Sequence, residues 1–315
     1  MNKTKKSVPG WISAWGKHRK RNMHLLLMII PGLTYLVINN YIPMAGIIIA
    51  FKKFNYSLGM WKSEWAGLSN FTYLFKSSDA FDIIRNTIGY NVVFIFLGQI
   101  LGITVAIMLN FLRGKWNKKV YQTLILVPYL ISIVVVSYIV FGFLSVENGF
   151  LNKVIVALGG TAINWYAEPK YWPFILTIVN LWKGFGYSSI LYYATVIGID
   201  TALYDAASID GCNTWQKIKY VTLPGLRPTV ITLVLMALGG IMYSDFGLFY
   251  QVPMHSGMIA GVTDTLDVYV YKALIQLNDV GRSSASGFLQ SIVGFILVIS
   301  ANATVRKIDK DSALF

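Results

Sequence analysis

The chain has one cysteine, Cys212, in 315 residues. An intramolecular disulfide is thereby excluded, and so is a metal cage built on cysteine thiolates. Cys212 reads as a small packing residue beside Gly211. Histidine is nearly as scarce: His18, His24 and His255 lie far apart in sequence. No His-Glu or carboxylate pair has metal-ligand spacing, and no nucleophile has a base placed near it. Charge is thin as well. Only 13% of residues are Asp, Glu, Lys or Arg, where a soluble domain carries about a quarter. A glycine-rich loop ending in Gly-Lys-Ser/Thr is missing, so there is no backbone cradle for nucleotide phosphates. These absences exclude a disulfide scaffold, a soluble globular domain and an enzyme that hydrolyses ATP by itself. No metal and no cofactor is expected in this chain.

What the chain has in excess is apolar sequence, at 55%. Six stretches, near 24–50, 86–111, 120–144, 172–198, 229–250 and 285–305, are long enough to cross about 30 Å of hydrocarbon. Each is expected to be a helix, because a lone span satisfies its backbone polar groups in lipid only that way. The expected fold is an all-α polytopic membrane protein with six transmembrane helices. It divides into a basic tail (1–23), a membrane domain (24–305) containing a polar loop (200–228), and a short tail (306–315).

The 27 Lys and Arg residues orient this domain. Seven precede the first span, four lie between spans two and three, three lie in the 200–228 loop, and three follow the last span. These seventeen share one face; the alternate loops hold nine, and Lys183 lies inside span four. The positive-inside rule places both termini and the 200–228 loop in the cytoplasm. The net charge of +13 is spread over short loops beside apolar spans. It serves insertion and contact with anionic lipid rather than nucleic acid. The basic start is not expected to be a removable signal peptide, since its apolar run is too long and Pro43 is no cleavage site. Trp11, Ile12 and Trp15 of the first tail suit the headgroup level. A disordered tail is the alternative.

The outer loops differ in character. The stretch 51–85 is rich in aromatics and is expected to fold as a small cap. The loop 145–171 carries turn signals at Gly159-Gly160 and Glu168-Pro169. The stretch 251–284 shows no strong apolar periodicity.

The segment from Tyr204 to Pro228, YDAASIDGCNTWQKIKYVTLPGLRP, is polar yet patterned. Asp200 or Thr201 is placed to cap a helix, and Gly211 to end it, because a residue without Cβ adopts the left-handed C′ geometry cheaply. Asn213 begins a second helix, with Gln216 three residues on in capping-box register. Pro224 and Pro228 are expected to end that helix. The result is a rigid L of two short helices.

This pattern resembles the "EAA" loop of bacterial ABC importer permeases. Asp205, Ala206, Ala207, Gly211, Val221, Leu223 and Pro224 occupy the signature positions. Asp205 stands where Glu is usual and Val221 where Ile is usual; the shorter acid reduces the reach of any ion pair. The runs Leu181–Gly186, Asp245–Met254, Asp267–Tyr271 and Asn40–Met44 are similar to the polysaccharide-type permeases of the carbohydrate uptake branch. The resemblance implies a type I ABC importer-like permease for oligosaccharides. It further implies a second, homologous permease, two ATPase subunits that bind ATP and magnesium, and an extracytoplasmic solute-binding protein. The elbow would dock on the ATPase, with Trp215 and Tyr220 as apolar anchors and Lys217 and Lys219 at a polar rim. Packing of both aromatics onto this chain's own spans is the alternative. An importer of another solute such as a peptide, or a membrane sensor that retains the loop, are the competing functions.

A sugar pathway needs hydrogen-bonding groups and aromatic faces within the spans. Asn91, Gly98 and Gly102 share one helical face, with Gln99 beside them; close helix packing is the plainer use of such small residues. Lys183 lies about 16 Å inside span four at helical rise, and Asp245 lies near the outer end of span five. Ionisable groups at such depth rarely face lipid. The two are expected to stand in or beside the cavity, with pairing one arrangement open to them. Trp182, Tyr187 and Tyr243 complete the candidates, as stacking rings or as packing aromatics.

Overall fold

The structure, a computed structural model, describes residues 23, 27–76, 78–308 and 313. Tail residues 1–22, with Trp11, Ile12 and Trp15, lie outside this set, as does most of 309–315. Among the described residues five helices are long and apolar enough to cross a membrane, and a bent pair adds a sixth crossing when taken as one span.

Helix α1 (Leu27–Phe51) passes through a π stretch at Val37–Tyr41 and tightens to a 3-10 turn from Ala45. The following segment does form a cap: Lys52–Lys53 pairs antiparallel with Glu64–Trp65, and Asn70 donates to the carbonyls of Ala50 and Lys52. Helix α2 (Ser78–Phe111) starts eight residues before the expected span. Next come α3 (Lys115–Leu130), α4 (Ile133–Leu144) and the short α5 (Phe150–Ala157). Helix α6 (Trp172–Ile197) matches the expected fourth span almost residue for residue. It is followed by α7 (Thr201–Ile209) and by α8, a continuous run over Thr214–Gly239. The short helices α9 (Phe246–Gln251) and α10 (Leu266–Ile275) precede α11 (Val280–Ile308). The main core cluster joins Tyr90 of α2, Val136 of α4, Trp172 and Leu176 of α6, Leu248 and Phe249 of α9, and Val268 of α10. Large apolar side chains such as Phe96, Met108, Phe174 and Phe295 remain exposed on the outside of the bundle, as a surface bathed in lipid or covered by a partner requires.

Three expectations are corrected. Span three is broken: α3 and α4 meet at 90°, with Ile131 and Ser132 extended between them. Pro128 sits one turn from the end of α3 and weakens continuation of the ladder. Span five ends at Gly239 rather than near 250. Gly240 to Ser244 form a turn, and Asp245 starts a new helix instead of lying within the span. Pro224 and Pro228 do not end the second arm of the elbow. A π turn over Ile218–Thr222 closes with the Leu223 N–H on the Ile218 carbonyl. A fresh α ladder then starts with Pro224 in its first turn, where no N–H is needed. The stretch 251–284 is folded despite its lack of apolar periodicity, with Val252, Ile259, Leu266, Val268 and Ala273 buried. Its helices are too short for periodicity to register.

Candidate functional sites: an elbow and a helix junction

The elbow forms by local chemistry. The Asp200 carboxylate accepts the Ala202 N–H at 2.9 Å and caps α7, a contact worth about 1 kcal/mol. At the other end Gly211 has φ +77°. The Gly211 N–H donates to Ser208 O and the Cys212 N–H to Ala207 O, at 3.1 and 2.9 Å. This pair of bonds is a Schellman closure. Asn213 accepts the Gln216 N–H, and the Gln216 side chain accepts the Asn213 N–H, at 2.9 and 2.7 Å. The capping box expected from the spacing is therefore complete.

Three further bonds lock the L. Lys217 Nζ donates to Ser208 Oγ at 2.6 Å, joining the two arms. The Tyr204 hydroxyl shares a 2.9 Å bond with Thr222 Oγ1, tying α7 to the π turn. Thr195 and Thr229 share one at 3.0 Å, tying α6 to α8. Lys217 thus braces the elbow as well as edging it. Trp215 and Tyr220 are 68% and 63% exposed, so they do not pack back onto this chain's spans. Asp205, Ala206, Gly211, Leu223 and Pro224 are exposed with them, while Ala207 is half-buried. Asp205 makes no ion pair among the described residues.

The second site is a junction of helix ends inside the bundle. Lys183 and Asp245 do not pair there. Lys183 Nζ donates to the carbonyls of Tyr129 and Ile131, at 2.9 and 2.8 Å, which the break after α3 leaves open. Its ammonium also stands 5.6 Å from the centre of the Tyr129 ring. A lysine at the centre of a span costs about 3 kcal/mol to insert. Each hydrogen bond to a charged group returns about 1.5–3 kcal/mol, so two of them offset that cost. The Asp245 Oδ1 accepts the Leu248 N–H at 3.1 Å and caps α9. The cation lies at a helix C-terminus and the anion at an N-terminus, both on the side the peptide dipoles favour. The turn before Asp245 is bound by Asn91, whose Nδ2 meets the carbonyls of Ile241 and Tyr243. Gln290 donates to Met242 O, and Asp267 accepts from Ser244.

A cavity of about 330 Å³ opens between α2, α6 and the end of α8. Asn91, Gln99 and Asp245 line it, as does Gly98. The Gln99 Oε1 is buried without a hydrogen-bond partner. Trp182, Lys183, Tyr187 and Tyr243 lie elsewhere. Tyr187 stacks on Tyr129 at 5.0 Å and 14°, Tyr243 shares a hydrogen bond with Ser291, and Trp182 is 39% exposed. The sequence reading missed Asn180 and Ser188, which also line the cavity. Their spacing with Gly184, four residues each way, was the available signal, since it puts all three on one helical face.

Comparison with known proteins agrees with this architecture. The family model described as "Binding-protein-dependent transport system inner membrane component" matches residues 98–309. Protein LplB of Bacillus subtilis (strain 168) is 34% identical over 301 residues, covering 95% of this chain and 93% of LplB. The polygalacturonan/rhamnogalacturonan transport system permease protein YteP of the same organism is 32% identical, covering 91% and 89%. A crystal structure of a bacterial alginate ABC transporter in complex with alginate pentasaccharide-bound periplasmic protein contains a chain with a TM-score of 0.84 and 30% identity, covering 94% of this chain and 98% of that one. Bearing the six-crossing bundle, the capped elbow and this family's match over 98–309, the chain belongs to the inner membrane components of binding-protein-dependent transport systems, the membrane permeases of ABC importers.

Proposed function

We propose that this permease carries an oligosaccharide through a pathway formed with a second, similar permease. Two ATPase subunits bind ATP and magnesium and dock on the elbow, and a solute-binding protein delivers the sugar from the opposite face. Both termini and the elbow lie in the cytoplasm, following the charge asymmetry. The observation that carries this reading is the continuity of α8. The arm that holds Trp215 and Tyr220 is the start of the helix that ends at Gly239. A push on the elbow therefore moves a membrane span, and the braced L does not absorb the displacement by bending. Alternating access follows: ATP closes the ATPases and opens the outside, and hydrolysis reverses it.

The sugar reading is supported by the relatives, named for polygalacturonan/rhamnogalacturonan and for alginate. The chemistry of the wall supports it too. Asn91, Gln99, Asn180, Ser188 and Asp245 offer hydrogen-bonding groups to hydroxyls, and the rings of Phe94 and Phe185 in the same wall offer apolar surface to C–H groups. Reconstitution of the permease with its partners in lipid tests this. ATP-dependent uptake of an oligosaccharide delivered by the binding protein is expected. ATP hydrolysis stimulated by a peptide and by no sugar would replace the substrate; no solute-stimulated hydrolysis at all would favour a sensor.

A further inference from the structure

We infer that Lys183 is a positioning residue of the transport pathway, pinning the broken third span at its bend and acting through Tyr129 and Ile131 rather than on the solute. This rests on the transport reading above. In lipid every interrupted helix must find donors for its last carbonyls. Here one ammonium serves the end of α3 and the start of the break, bonding to Tyr129 O in the last turn and to Ile131 O at the C-cap. The geometry around it is built for close approach. A Cβ on Gly186, three residues along α6, would sit 1.8 Å from the carbonyl oxygen of Ile125 in α3. Tyr129 stacks on Tyr187 of α6. On the far side of the break Ile133 packs into the cluster containing Leu248 and Phe249 of α9, the helix capped by Asp245.

Spans three, four and five therefore meet where two helices stop, and Lys183 is the charged group that fastens the first to the second. With the pin in place, movement of α8 and α9 is passed to α4 as a displacement of a fixed corner. Without it the two open carbonyls seek water, the corner loosens, and hydrolysis by the ATPases is no longer converted into passage of solute.

The test uses the assembled transporter in lipid nanodiscs or vesicles, with the series Lys183→Arg, Lys183→Gln and Lys183→Met. The readouts are solute carried per ATP hydrolysed, the ratio of uptake rates for a neutral and an acidic oligosaccharide, and assembly by size exclusion. Lys183→Met is expected to lower solute per ATP by roughly tenfold, the scale of a lost hydrogen bond to a charged group, with basal hydrolysis retained. Lys183→Gln should fall between, and Lys183→Arg should restore most coupling because its fork reaches both carbonyls. The neutral-to-acidic ratio should stay constant across the series. Should Lys183→Met fail to assemble, the Arg, Gln and wild-type order reads the same dependence. A changed ratio would make the ammonium a solute contact and overturn the inference, as would Lys183→Gln coupling like wild type, or Lys183→Arg as uncoupled as Lys183→Gln. Failure of the wild-type arm to couple any solute counts against the transport reading instead.

Discussion

The elbow and the helix junction are both places where helices end, yet they are made in opposite ways. At the elbow each cap comes from within two to five residues of the group it satisfies: Asp200 to Ala202, Cys212 to Ala207, Asn213 to Gln216. At the junction most of the fasteners come from far along the chain. Lys183 reaches Tyr129, Asn91 reaches Tyr243, and Gln290 reaches Met242. The elbow can thus keep its shape while the bundle rearranges, as a part pushed by another protein must. The junction exists only when several spans are in place, and a shift of any span is felt there.

Four substitutions would break or sharpen this contrast. The largest effect is expected from Gly186→Ala. Its new methyl meets the Ile125 carbonyl, and overpacking of this kind costs about 3 kcal/mol or more when backbone stands in the way. Thermal melting of the purified permease should show the loss, and an unchanged melt would mean that α3 and α6 are not in close contact. Next is Trp215→Ala. The ring is exposed in this chain, so the melt should hold. ATPase binding should fall by about 2–4 kcal/mol if Trp215 is an interface anchor, read by co-purification and by titration of the ATPase subunit. Retained binding would remove Trp215 from the interface.

Gly211→Ala should cost about 1–2 kcal/mol, because φ +77° strains any residue with a Cβ. Local hydrogen exchange in 205–217 would report it, with the spans unaffected. A global loss of protection would show that the elbow is not an independent unit. The smallest change is Tyr204→Phe, which removes the bond to Thr222. About 1 kcal/mol or less is expected, visible as a modest drop in solute carried per ATP. No change in coupling would leave the bracing to Lys217 and Ser208.

The same contrast explains what could be read from the amino acids. The caps at Asp200, Gly211, Asn213 and Gln216 were legible because each depends on a fixed short spacing. So were the membrane class and the fourth span, which follow from long, predominantly apolar runs. The breaks were not. Ser132 and the pair Gly239-Gly240 are brief small-residue interruptions of apolar stretches, and the groups that stabilise the breaks lie elsewhere in the chain. Lys183 and Asp245 stand out as ionisable groups within apolar stretches, and their opposite charges leave pairing open to them. The preference of each charge for one helix end was the alternative physics. Pro224 misled for a related reason: proline forbids an α bond to the residue four back, but a π turn before it removes the need for one.

That widened turn has a geometric corollary. One surplus residue rotates everything beyond it by about 100° around the axis, given 3.6 residues per revolution. The compass bearing of Trp215 relative to the bilayer-embedded part of α8 is therefore set by a single added amino acid between Lys217 and Leu223. Shortening Ile218–Thr222 by one would leave every side chain of the drive shaft intact and aim its handle at the wrong neighbour.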